Sequence, residues 1–345
     1  MTTPKTKLAG LALIAALVVC LLVPVAATTQ AEAPKPRTLW DAASVMVGEA
    51  AYEKGDYVKA ARQFRIADEK DNAWSAYAQF YLGIMYAKGQ GVSQDYAEAA
   101  KWSRKAAEQG NAEAQYLLGI MYTNGRGVPQ DYAEAAKWSR KAAEQGDTRA
   151  QFNLGIMYAN GRGVAPDIAE AAKWYRKAAE QGTVEAQYNL GSMYYRGQGV
   201  PQDYAETMKW FRKAAEQGYA GAQHSLGFMY GNGQGVPQDY AQALQWYRKA
   251  AEQGMASSQG NLGVMYYKGL GVPPDYAEAV KWSRKAAEQG NAKAQYLLGI
   301  MYDNGQGVPQ DYAQAHMWIN LAASRLPPAR TVIERSRTAI SLPRG

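Results

Sequence analysis

Asn111 to Gly146 reads NAEAQYLLGIMYTNGRGVPQDYAEAAKWSRKAAEQG, and these 36 residues spell a complete helical hairpin. Asn111 is suited to cap a helix, because its side-chain oxygen accepts an orphan backbone N–H. Ala114, Leu118, Met121 and Tyr122 then recur at helical spacing and give a first helix, A, one apolar face. Gly119 sits in its middle at a cost of about 1 kcal/mol relative to Ala, which predicts a backbone packed closely against that point. Gly125 ends helix A, and Gly127-Val128-Pro129 supplies the turn. Asp131 followed by Glu134 has the spacing of a capping box at the start of helix B. Helix B carries Tyr132, Ala135, Trp138, Ala142 and Ala143, and Gly146 closes it. Such a hairpin cannot bury both faces alone, so neighbours must stack on it.

The same hairpin recurs along the chain. Trp102, Trp138, Trp174, Trp210, Trp246, Trp282 and Trp318 are each 36 residues apart, as are Gly83, Gly119, Gly155, Gly191, Gly227, Gly263 and Gly299. The capping pair recurs in register, from Asp95/Glu98 to Asp311/Gln314. A strict period of this length is the signature of a solenoid. Seven units run from about Ser75 to about Leu326.

The recurring string is Ala-x-Gln-x-x-Leu-Gly-x-Met-Tyr-x-x-Gly-x-Gly-Val-Pro-x-Asp-Tyr-Ala, then Trp, then Lys-Ala-Ala-Glu-Gln-Gly. It resembles the Sel1-like repeat family, a relative of the tetratricopeptide repeats. Departures are local: Thr207-Met208 for Ala-Ala, Ser258 for the first Ala, and Ile168 for the Tyr after Asp167. The resemblance implies an all-α fold, a right-handed α-solenoid of stacked hairpins used for protein–protein contacts. It names no partner and no cofactor.

The ends differ from the middle. Lys5 and Lys7, the uncharged run Leu8 to Ala27 with Pro24, and small residues before Thr28 or Glu32 have the three parts of a secretory signal. Residues 1–27 are therefore expected to be a signal peptide, or an inner-membrane anchor if uncleaved, since 20 uncharged residues could just span a bilayer. Cys20 lies inside that run, without the small preceding residue a lipid acceptor needs. Residues 28–39 read as a linker. Residues 40–74 read as a shorter tetratricopeptide-type capping hairpin around Gly48, Tyr52, Gly55-Asp56-Tyr57, Ala60, Phe64 and Ala67. Beyond the seven units of 75–326, Pro327-Pro328 stops the last hairpin. Val332, Ile333, Ser336 and Ile340 then give residues 327–345 a short amphipathic helix, expected to cap the array.

Composition narrows the chemistry. The 345 residues hold 38 Lys and Arg against 31 Asp and Glu, a net charge of +7 with the signs interleaved. That argues against nucleic acid as a partner. One Cys and two His exclude a disulfide framework and a Cys/His zinc site. The Asp series is explained by helix capping rather than catalysis. The Gly-x-Gly loops lack the strand and Lys-Ser/Thr of a phosphate loop. Asp303-Asn304-Gly305 lacks the ligand spacing and closing Glu of a calcium loop. The Trp series reads as packing, and His224 and His316 stand in different units with no nucleophile placed beside them by sequence. Some cysteine-rich relatives carry a β-lactamase or penicillin-binding label, so a hydrolase is the alternative implied by family analogy. Ser-x-x-Lys and Lys-Thr-Gly are absent, however.

Without a catalytic constellation, the expectation is an exported, non-enzymatic scaffold in a bacterial cell-envelope complex, periplasmic or secreted. Its partner would be a protein or peptide, and it would meet a membrane only through an uncleaved N-terminal segment. The side of helix A opposite its core face is not idle. Phe80, Tyr116, Phe152, Tyr188, His224, Gly260 and Tyr296 share one position, and Asn124, Asn160, Asn232 and Asn304 share another with Lys88, Arg196 and Lys268. Aromatic area and side-chain amides suit an extended peptide. The expected groove comprises Phe80, Tyr116, Asn124, Phe152, Asn160, Tyr188, Tyr195, Arg196 and Asn232, and should widen or end at Gly260. The same rings could equally serve packing between successive A helices.

Overall fold

A computed structural model describes residues 39–70 and 74–325. Regular structure among them is entirely helical. The chain divides into two compact parts, one ending at Gln130 and one beginning at Asp131. The expected signal segment, residues 28–38 of the expected linker and the C-terminal capping helix lie outside the described residues, whereas Leu39, expected to end the linker, already begins a helix.

The first part holds α1 (Leu39–Glu53), α2 (Tyr57–Glu69), α3 (Ser75–Lys88), α4 (Tyr96–Glu108) and α5 (Ala112–Asn124). Each helix packs on the next, and α3 also touches α5. The short α1–α2 hairpin turns at Gly55, and Asp56 caps α2 by accepting from the Lys59 N–H at 3.1 Å. Phe64 on α2 is wholly buried and stacks on Tyr81 of α3 with ring centres 4.8 Å apart, which fixes this hairpin to the first repeat.

The second part holds α6 (Tyr132–Glu144), then the pairs α7 (Thr148–Asn160) and α8 (Ile168–Glu180), α9 (Val184–Arg196) and α10 (Tyr204–Glu216), and α11 (Ala220–Asn232) and α12 (Tyr240–Glu252). It continues with α13 (Ala256–Lys268) and α14 (Tyr276–Glu288), and with α15 (Ala292–Asn304) and α16 (Tyr312–Arg325). Odd-numbered members of these pairs are A helices and even-numbered ones are B helices. Leu154, Leu190, Leu226, Leu262 and Leu298 are fully buried, one to each hairpin, so the sequence period is also the period of the core.

The two loop glycines serve different ends. Gly161 has φ +65 and closes α7 in the left-handed conformation that disfavours side chains. Gly163 has φ +72, and a Cβ there would run into the backbone carbonyl of Tyr132 at the start of the preceding B helix. The loop therefore both ends one helix and seals one hairpin onto its neighbour.

The capping box forms only by half. Asp203 accepts from the Ala205 and Glu206 N–H groups at 2.8 and 3.0 Å. Glu206 does not return to the Asp203 N–H, because that N–H already donates to the Tyr194 carbonyl at 3.1 Å. Glu206 instead accepts from Lys209 Nζ and Trp210 Nε1, both at 2.8 Å. Trp138 with Glu134 and Trp282 with Glu278 repeat the arrangement. Each of these buried indoles is roofed by the Lys three residues on, as with Lys213 at 4.6 Å from the Trp210 ring centre.

Two polar ladders join successive hairpins. Buried Gln187 donates to the Ala179 carbonyl at 3.1 Å and accepts from Gln217 Nε2 at 2.8 Å. Gln151, Gln223 and Gln259 do the same in their units. On the B side, Arg212 Nη2 donates to Tyr230 Oη at 3.0 Å and Arg284 to Tyr302 at 2.6 Å, and Arg176 reaches Tyr194 likewise.

Candidate binding surface

The mid-helix glycines Gly155, Gly191, Gly227, Gly263 and Gly299 mark where the two helices of a hairpin in the second part cross. A Cβ on Gly155 would meet the Tyr175 ring at 2.7 Å, and one on Gly191 the Phe211 ring at 2.7 Å. The side chain immediately after the tryptophan of helix B thus lies across the glycine. The close backbone expected from the sequence is also present, with the Ser283 N 3.2 Å from a Cβ on Gly263 and the Ala315 carbonyl 3.1 Å from one on Gly299, but the nearest neighbour is a side chain. In α8, α10 and α12 it is aromatic, and the ring passes through to the A-helix side.

There it meets the aromatic series of helix A. Phe152 and Tyr175 have ring centres 5.7 Å apart, Tyr188 stacks on Phe211 at 5.4 Å, and His224 faces Tyr247 at 5.3 Å. Tyr188 also touches Tyr219 at 5.0 Å. Burial pushes the Tyr175 and Tyr247 hydroxyls up to about 12, so both rings are neutral packing groups at neutral pH. The aromatic half of the expected groove is therefore engaged inside the protein. Phe152 and Tyr188 are half-buried against these rings, Tyr116 is half-buried, and Phe80 is only 8% exposed, too covered to offer its ring to a partner. Tyr195 is half-buried too, donating to Gln234 Oε1 at 2.7 Å across to the next loop.

The polar half is on the surface. Asn124, Asn160, Arg196 and Asn232 are all exposed at the last turns of their A helices. Asn160 Nδ2 donates to the Ile156 carbonyl at 3.0 Å and Asn232 Nδ2 to the Phe228 carbonyl at 2.8 Å. Each Asn thereby commits one amide proton to its own helix end. A cation at the same place, Arg196, suits the negative end of the helix dipole. Phe228, one turn before Asn232, is 40% exposed. Sequence reading passed it over because the aromatic series drew attention to a different register. The signal was its position, shared with Ile120, Ile156 and Val264 on the same non-core side of helix A.

The Sel1 repeat family matches seven consecutive segments of this chain, at 76–111, 112–147, 148–183, 184–219, 220–255, 256–291 and 292–325. The chain belongs to the Sel1 repeat family. The Sel1 units coincide with the helix pairs described above. An Escherichia coli protein with an SLR fold, a protective antigen present in uropathogenic strains, is 42% identical over 77% of this chain, with a TM-score of 0.71. This chain spans 56% of that protein. A Sel1 repeat protein from Oxalobacter formigenes is 35% identical over 73% of this chain and 98% of its own, with a TM-score of 0.60. No curated protein matches the chain.

The described Sel1 hairpins bring one serine and one histidine together. Ser258 Oγ lies 2.8 Å from His224 Nδ1, between the fifth and sixth units. Burial lowers the affinity of His224 for a proton, which keeps the imidazole neutral. Ser258 is itself fully buried, so no substrate carbonyl could reach its Oγ, and the pair serves as a polar tie between hairpins. Among the described residues no group of three or more His, Cys, Asp or Glu is placed to hold a metal ion, and no helix is long and apolar enough to cross a membrane.

Proposed function

We propose that this Sel1 protein is an exported, non-enzymatic scaffold of the cell envelope that holds a protein or peptide partner on the A-helix side of its middle repeats. Sel1 and the related tetratricopeptide repeats typically serve as protein–protein interaction scaffolds, which supports the general reading. The observation that carries the finer one is the exposed Phe228 among exposed Arg196, Asn232 and Asn160 on successive A helices. An apolar anchor flanked by a cation and amides is the composition of a peptide-binding surface. Arg196 favours a partner with an acidic side chain or a terminal carboxylate. The charged, apolar and small-residue segments of residues 1–31 support export. The hydrolase alternative draws no support from the geometry of the described residues, where the Ser258–His224 contact is sealed in the core.

A photo-crosslinking residue placed at Phe228, and separately at Lys209 on the exposed B side, tests the surface in cells. Adducts from position 228 and none from position 209 are expected. Adducts from position 209 alone would move the partner to the opposite side. Intact-mass analysis of the envelope fraction tests export, with a mature start at Thr28 or Glu32 expected. A full-length membrane-bound species would make the N-terminal segment an anchor.

A further inference from the structure

The first hairpin begins the array without a polar outer face. Gly48 in α1 holds the place of Gly155 and Gly191, since a Cβ there would meet the Phe64 ring of α2 at 2.9 Å. That register puts Val47 where the A helices of the repeats carry their fully buried Leu, and Ala50 where they carry Met. In the repeats these two residues pack on the B helix that comes before, as Leu190 and Met193 do on Ala171, Tyr175 and Ala178 of α8. Leu226 and Met229 do the same on Met208 and Phe211 of α10. No helix precedes α1 among the described residues, and Val47 is 43% exposed, with Ala50 exposed beside it. A terminal hairpin that served only as a cap would turn a polar face outward. The last B helix does so at its stacking position: His316 is exposed where its counterparts Ala172 and Met208 are buried.

The open face is a groove of about 270 Å³. Met46, Val47, Ala50 and Ala51 line it, and Met46 is 56% exposed. Lys54 and Lys59 border it at the α1–α2 turn. Asp56 borders it too, but its carboxylate already accepts from the Lys59 N–H as the cap of α2. The groove is thus apolar along its length and basic at one end. Within the repeats that end of an A helix meets the first turn of the preceding B helix: the loop glycine after α7, Gly163, lies against the Tyr132 carbonyl at the start of α6. Those first turns are acidic. Asp131 and Glu134 open α6, Asp167 and Glu170 open α8, and Asp203 and Glu206 open α10.

We propose that the outer face of the α1–α2 hairpin docks a helix of a partner protein that has the character of a B helix, with small residues along its inner side and carboxylates in its first turn. Two observations carry this occupant. The groove continues the stacking interface already repeated through the array, which accepts a helix with alanines at the contact, such as Ala171, Ala178 and Ala179. The two lysines lie where such a helix would begin, so its first-turn carboxylates would meet opposite charge. This contact is separate from the middle-repeat surface and does not depend on it.

A labelled peptide of residues 131–146, DYAEAAKWSRKAAEQG, stapled on its outer side to hold its helix, is the probe. It is titrated into the full chain and read by fluorescence anisotropy, and saturable binding is expected. Val47→Lys with Ala50→Lys should weaken binding by about tenfold or more and, both positions being exposed, leave the thermal midpoint unchanged. Lys54→Glu with Lys59→Glu should weaken it by about threefold or more. A peptide carrying Asp131→Lys and Glu134→Lys should then bind that variant better than it binds the wild type. A peptide that fails to bind the wild type, or binds both variants equally well, would overturn the proposal. So would a lower midpoint for Val47→Lys with Ala50→Lys, which would show the face to be covered within the chain already. Self-association of the full chain that the same variants abolish would assign the face to a second copy instead.

Discussion

In α8, α10 and α12 a ring follows the tryptophan and lies across the glycine of the facing A helix. In α14 the same position holds Ser283, and the opposing ring of helix A is reduced to Gly260. The backbone of the two regions is the same, and the glycine persists in both. What changes is the filling. Residues 148–255 pack aromatic pairs through every hairpin. Residues 256–291 place Asn291 against Gly260 and leave Ser283 Oγ buried without a partner among the described residues. A buried hydroxyl with no hydrogen bond costs about 1–3 kcal/mol. A solenoid is a chain of locally stabilised units, so this cost stays near the sixth repeat. The ring-filled repeats are therefore expected to be the stiffer ones, and they carry Arg196, Phe228 and Asn232. The proposed binding surface would thus rest on a ring-packed part of the array.

The largest effect should come from converting one region into the other. Phe211→Ser removes a buried ring from the Gly191 crossing and should lower stability by about 3–5 kcal/mol, read as the loss in a chemical denaturation series. Equal midpoints for variant and wild type would mean that the ring is not part of the core. Next comes crowding the crossing. Gly227→Ala puts a Cβ 2.7 Å from the Tyr247 ring and should cost about 1–3 kcal/mol despite the better helix propensity of Ala. Adding Tyr247→Ala should give a double mutant less unstable than the sum of the singles, a coupling expected only if these two residues meet.

The reverse experiment should be smaller and of opposite sign. Ser283→Ala removes the unpartnered hydroxyl and should stabilise the sixth repeat by about 1 kcal/mol. The smallest effect is acid-dependent. The hydrogen bond from Lys209 holds the Glu206 carboxyl below its ordinary value of 4.5, with Trp210 adding to the same direction. A lowered carboxylate stabilises the fold fully above its unfolded value and loses that contribution as pH falls through the folded one. The group is near the surface, so Glu206→Gln should cost about 0.5 kcal/mol or less at pH 7, and the difference from wild type should shrink as pH falls below the ordinary carboxylate range.

Much of this was legible in the residues. The 36-residue ruler, the Gly closing each A helix and the Asp opening each B helix follow from local periodicity and capping, which act within a few residues. Contacts reaching the next repeat were harder to read. Nothing local says that Gln187 bridges to Gln217, or that Arg212 reaches Tyr230 eighteen residues on. Glu206 was read as the second half of a capping box because spacing alone does not show that the Asp203 N–H is already taken by Tyr194. The aromatic series of helix A suggested a groove because its partners sit in helix B. The clue was there in Tyr175, Phe211 and Tyr247, three rings where the other units have Ser or Ile. Phe228 was missed for a related reason: exposure of a single ring depends on how neighbouring helices are set, which a repeat pattern averages away.

Hydrogen exchange resolved by helix tests the comparison most directly. The filling argument predicts that amides of α9 and α11 exchange most slowly. It also predicts that those of α13 exchange faster than those of α15, where Ile319 again fills the crossing against Gly299. Simple fraying from the C-terminal end predicts the reverse order for α13 and α15. Slower exchange in α13 than in α15 would contradict the claim that the ring-filled repeats form the rigid platform of this protein.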